Sequence, residues 1–84
     1  ILIVEDHFLP RMALAALLNS QSDMRVAAEA ADGAEAVALF RAHRPDVTLL
    51  DLRIPGGGGL EVLRRVRDEF PAARVVILTN YEGS

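Results

Sequence analysis

The chain has 84 residues, 51% of them apolar and 25% charged, with a formal net charge of −3 and no cysteine. That suits one small globular domain and leaves no disulfide framework and no cysteine-ligated zinc site. The acidic balance argues against a nucleic-acid surface, which usually carries a basic patch; no apolar run approaches a membrane span, and no signal peptide is visible.

ILIV (Ile1–Val4) is a short β-branched run, as expected of a strand buried on both faces. LPRMALAALLNS follows as a helix, with Pro10 in its first turn and Leu14, Leu17 and Leu18 on one face. RVAAEA (Arg25–Ala30) reads as a second strand from its place in the pattern, since its alanines favour helix. Ala31–Gly33 is a turn in which Asp32 can cap the next helix, AEAVALFRAHR, where Ala36, Val37 and Phe40 share a side. Pro45 stops that helix, and VTLLD ending at Asp51 is the third strand. GLEVLRRVRDEF is the third helix. Leu60 and Leu63 begin its apolar face and Val62, Val66 and Phe70 close it, while Glu61 stands four residues before Arg65, a favourable order. Pro71 ends the helix, and RVVILT (Arg74–Thr79) is the fourth strand.

The order βαβαβαβ predicts an α/β fold, a doubly wound parallel sheet with helices on both faces. In such sheets ligands bind beyond the carboxyl ends of the strands. The residues there are Glu5 and Asp6 after the first strand, Asp51 after the third and Thr79 after the fourth. Each has an ordinary reading when taken alone. Asp6 could cap the first helix, Glu5 could be a solvated loop charge, Asp51 could bond to loop amides, and Thr79 could be a plain strand threonine. Together they place three acids and a hydroxyl at one edge. Clustered carboxylates repel one another unless a cation joins them, and Mg²⁺ commonly takes one or two carboxylates.

These residues carry a resemblance. IVEDH (Ile3–His7), EAADGAEAV (Glu29–Val37), RPDVTLLDLRIPGGGGLEVLRRVR (Arg44–Arg67) and VVILTNY (Val75–Tyr81) resemble the receiver domain of two-component response regulators, closest to receivers of helix-turn-helix transcriptional regulators. The resemblance implies a flavodoxin-like sheet of order 2-1-3-4-5, with residues 1–84 forming an incomplete receiver that stops after the fourth strand. It implies that Asp51 is the phosphoacceptor, charged from a phosphohistidine on a sensor histidine kinase. Asp6 and Asp51 would be Mg²⁺ ligands, the backbone carbonyl of Arg53 a third, and Glu5 a partner through water. Thr79 would bond a phosphoryl oxygen and act as the switch. The resemblance further implies a cytoplasmic signalling domain rather than an enzyme, no membrane contact, and DNA contact only through an output domain outside this chain.

The sequence departs from the family in three places. Gly58 stands where a polar helix cap is usual; glycine is a tolerable cap that leaves the loop looser. The family's phosphoryl-pairing lysine follows a fifth strand, and this chain has neither that strand nor any lysine, all nine basic residues being arginine. Asn80 replaces a small residue and narrows access for the phosphodonor. A receiver-like interaction module that takes no phosphate is therefore the alternative. An aspartyl-nucleophile phosphatase fits poorly, since Arg53 stands where those enzymes place a second acid. The apolar VVILT strand, lacking charge or proline, is expected to pair with another copy if its edge is open.

Overall fold

The computed structural model describes residues 1–55 and 58–78. Strands β1 (Leu2–Val4), β2 (Ala28–Ala30), β3 (Thr48–Asp51) and β4 (Val75–Leu78) alternate with helices α1 (Phe8–Asn19), α2 (Gly33–His43) and α3 (Gly58–Glu69). All pairings are parallel and the order is β2-β1-β3-β4, as the resemblance implies for these strands. The central strands β1 and β3 are the most buried, because both of their faces are covered.

Strand periodicity divides the core. Leu2, Val4 and Leu50 point to one face, where they meet Ala36, Val37 and Phe40 of α2 and Val62 and Val66 of α3. Ile3 points to the other face, towards α1, whose one fully buried residue is Ala15. The Phe40 and Phe70 rings sit 5.0 Å apart, and the Arg44 guanidinium lies 4.2 Å from the Phe70 ring centre. Arg41 of α2 reaches Glu69 of α3 at 2.8 Å.

The local signals act as expected at α2. The Asp32 carboxylate accepts from the Glu35 amide at 2.8 Å, and Glu35 accepts in return from the Ala31 amide at 3.0 Å. Arg44, just before Pro45, ends the helix with φ 46, and its amide donates to the Phe40 carbonyl.

Several expectations need correction. Leu17 and Leu60 are 61% and 68% exposed rather than part of the apolar faces. The buried stripe of α1 runs through Leu14, Ala15 and Leu18, and that of α3 through Gly59, Val62, Leu63 and Val66. Leu17 stands two positions from Ala15 and Leu60 two from Val62, about 200° around a helix of 3.6 residues per turn. The second strand is shorter than RVAAEA, because the Val26 amide bonds to the Asn19 side chain at 2.9 Å instead of joining the ladder. Glu61 pairs with Arg64 at 2.6 Å rather than with Arg65, and Arg64 also holds Asp68 at 3.0 Å. Gly58 has φ +82, a conformation that favours glycine, so a capping side chain there would be strained.

Candidate metal and phosphoryl site

Register brings the acids together. Val4 of β1 pairs with Leu50 of β3, so the next residues along, Glu5 and Asp51, come level at the carboxyl edge. Both are buried, 6% and 5% exposed. The Asp6 side chain is 27% exposed and sits at the rim. Single ligand atoms from Glu5, Asp6, His7 and Asp51 all lie within 4.8 Å of one another.

The backbone holds this edge tightly. The Glu5 amide donates to the Ala30 carbonyl at 3.0 Å, and the Arg11 guanidinium donates to the Glu5 carbonyl at 2.9 Å. After β3 the chain turns at once: the Arg53 amide donates to a carboxylate oxygen of Asp51 at 2.9 Å. The turn is pinned twice more. The Leu52 carbonyl accepts from the Gly59 amide at 2.9 Å, and the Pro55 carbonyl accepts from the Gly33 amide at 3.0 Å. Ile54 between them is buried in the core. A β-carbon on Gly59 would stand 2.5 Å from the Leu52 Cα and 2.7 Å from the Asp51 carbonyl oxygen, so only glycine admits this approach.

The electrostatics are those of crowded acids. Burial, and then the facing Asp51 carboxyl, push the Glu5 carboxyl above the ordinary carboxylate value, while hydrogen bonds from His7 oppose the shift. The His7 imidazole is raised, first by its hydrogen bond to Glu5 and then by the Asp6 charge. His7 Nδ1 lies 2.7 Å from Glu5 Oε1 and 3.0 Å from Asp6 Oδ1. Nδ1 can offer one hydrogen at most, and the nearer Glu5 oxygen is the one placed to accept it. Among the described residues, Asp6 Oδ1 is buried with no hydrogen-bond partner. A buried carboxylate oxygen without a donor is costly unless something positive fills the gap. Carboxylate oxygens converging on one point fit a hard divalent cation.

The structure brings Glu5, Asp6 and Asp51 together, and Arg53 follows Asp51 in the same turn. Asp6 does not cap α1. The N-cap is His7, whose side chain makes no capping bond because it is turned to the acids. Sequence reasoning missed His7; its adjacency to the acid pair in "EDH" was the available signal. Thr79 and Asn80 lie outside the described residues. Among the described residues, no helix is long and apolar enough to cross a membrane.

Known proteins are similar to this chain in sequence and fold. The oxygen regulatory protein NreC of Staphylococcus haemolyticus is 41% identical over 83 residues, which are 98% of this chain and 38% of that protein. A two-component response regulator of the LuxR family from Aurantimonas sp. SI85-9A1 superposes with a TM-score of 0.91 at 39% identity, covering 98% of this chain and 59% of that one. The response regulator TrrA of Thermotoga maritima, solved in complex with Mg²⁺-BeF, superposes with a TM-score of 0.87 at 31% identity, covering 96% and 69%. The chain thus spans well under half the length of NreC. The family model described as the response regulator receiver domain matches residues 1–84. A parallel sheet of this order, with its acids gathered beyond β1 and β3, is the framework of that family, and the chain belongs to the response regulator receiver domains.

Proposed function

We propose that this receiver is a phosphoacceptor and that Asp51 takes the phosphoryl group from a phosphohistidine on a sensor histidine kinase. The observation that carries this reading is the placing of Asp51. It is buried at the end of a rigid strand and has an acid pair facing it. An Asp51 carboxylate oxygen would attack phosphorus in line as the P–N bond to the histidine breaks and its electron pair returns to nitrogen. This leaves an acyl phosphate on Asp51 and, from a phosphohistidine protonated on its other ring nitrogen, a neutral imidazole on the kinase. Such transfers need positioning and charge neutralisation more than acid–base chemistry.

Asp6 and Asp51 would hold Mg²⁺ together with the Arg53 backbone carbonyl, and Glu5 would hold it through water. The bound ion would neutralise the phosphoryl oxygens. The unpartnered Asp6 Oδ1 supports that fit, and so does the Mg²⁺-BeF complex of the similar TrrA. Glu5 buttresses the site through its bonds to His7, and the Leu52 and Pro55 clamps keep Asp51 aimed. By resemblance, Thr79 would bond the phosphoryl group and report its arrival. The likeness to a LuxR-family regulator supports a cytoplasmic protein that acts on DNA through an output domain elsewhere in the full protein.

The other reading is an interaction module that takes no phosphate, and the 84-residue chain taken by itself carries no lysine to pair with a phosphoryl group. Each lost charge-assisted contact to a developing phosphoryl charge costs roughly 3 kcal/mol. Incubation with acetyl phosphate and Mg²⁺, followed by intact-mass measurement, separates the two. The expected outcome is a slow gain of one phosphoryl group that is abolished in Asp51→Asn. No gain in the wild-type chain supports the interaction module, and equal gain in both removes Asp51 from the role.

A further inference from the structure

The residue after the acid pair has no part in the phosphoacceptor scheme, yet the structure turns it into the site. His7 is the N-cap of α1 but leaves the helix amides alone. Its Nδ1 instead meets Glu5 Oε1 at 2.7 Å and Asp6 Oδ1 at 3.0 Å. The separation from Asp6 matches neighbouring ligands around one small cation, about 3.0 Å apart when metal–ligand bonds are about 2.1 Å, while the contact with Glu5 is a hydrogen bond that orients the ring. The ring is two-thirds exposed.

We propose that His7 Nδ1 is a ligand of the cation held by Asp6 and Asp51, and that it biases this receiver towards first-row transition cations over Mg²⁺. The inference rests on the cation site proposed above and adds a nitrogen donor to it. Oxygen-only sites suit Mg²⁺, whereas imidazole raises affinity along the series from Mn²⁺ to Ni²⁺ and Cu²⁺. The proton balance closes without a co-reactant. In the neutral ring the Nδ1 hydrogen, donated to Glu5, is lost to water as Nε2 gains one from water, and the freed Nδ1 lone pair forms the metal bond. The exposure of the ring gives water the access this exchange needs. The Asp6 oxygen, without a partner among the described residues and 3.0 Å from the same nitrogen, would take its place beside Nδ1 on the ion.

His7→Asn separates ligation from simple positioning. Asparagine keeps an N–H donor near the place of Nδ1, but its nitrogen lone pair is delocalised into the carbonyl and cannot bind a metal. Calorimetric titrations with Ni²⁺ and Mg²⁺ should be run on the 84-residue chain, on His7→Asn and on Asp51→Asn, with circular dichroism to check each fold. The expected result is a fall of about tenfold or more in the Ni²⁺-to-Mg²⁺ affinity ratio in His7→Asn, mostly from weaker Ni²⁺ binding. The Mn²⁺-loaded wild type should also show nitrogen modulation in its electron spin echo, lost in His7→Asn. An unchanged ratio and no nitrogen modulation, with Mg²⁺ binding still dependent on Asp51, would overturn the role of His7 and leave the receiver site intact. Failure of the wild type to bind either cation would overturn both.

Discussion

Gly59 shows how a residue with no functional group can govern the site. Its amide reaches the Leu52 carbonyl, and the lack of a β-carbon lets α3 start against the backbone that carries Asp51. The neighbours at 2.5 and 2.7 Å are main-chain atoms, which cannot swing aside as a side chain could. Gly59→Ala should therefore destabilise the fold by about 2–3 kcal/mol, in the range of overpacked interiors, and should also weaken cation binding by displacing Asp51. Urea unfolding and a Mg²⁺ titration check the two halves of that prediction; an unchanged midpoint would refute the first. The sequence made Glu5, Asp6 and Asp51 legible because strand ends at one edge of a parallel sheet must gather. It could not show which way His7 turns. A residue at a helix N-terminus can cap the helix or reach back, and only the positions of Glu5 and Asp6 decide between those two hydrogen bonds.

At the scale of elements, α2 and α3 behave as one unit. Phe40 and Phe70 touch, Arg44 covers the Phe70 ring, and Arg41 grips Glu69 with the guanidinium Nε and a terminal nitrogen. The hydrogen bond from Arg41 holds the Glu69 carboxyl below its ordinary value. A carboxyl whose pKa is lowered by folding contributes stability above its unfolded pKa, and that contribution is lost as pH falls through the folded one. Glu69→Gln should thus be less stable than wild type at neutral pH. The gap should be small for an exposed pair, shrink with added salt, and close on acidification below the carboxylate range. Denaturant midpoints across pH measure it, and a gap that persists at low pH would assign the effect to packing. The order of elements was legible from β-branched runs and from Pro45 and Pro71. The phase of the apolar faces was less so, because several leucines compete for each helix. Burial went to Ala15 and Gly59, small residues that let the helices approach, and not to Leu17 and Leu60.

At the scale of the whole molecule, the two faces of the sheet are unequal. One face holds α2 and α3 over a contiguous core, and the other holds α1 over Ile3, with Phe8, Leu9, Met12 and Val76 exposed. Among the described residues β4 pairs on one side only, with β3. An apolar edge strand without charge or proline invites pairing. We therefore expect the 84-residue chain on its own to self-associate through β4, and sedimentation at micromolar concentration to show species heavier than a monomer. A well-folded monomer with a cooperative melt would sink that expectation. The imbalance also reaches the site. Asp51 is anchored to the firm half of the molecule through Ile54, Leu52 and Gly59, whereas Asp6 and His7 stand where β1 hands over to the lightly packed α1. In local-unfolding terms, we expect Asp51 to belong to the last segment to open and Asp6 to border the first. A cation shared by Asp6 and Asp51 would staple the two segments together, so that part of its binding free energy would appear as protection of α1.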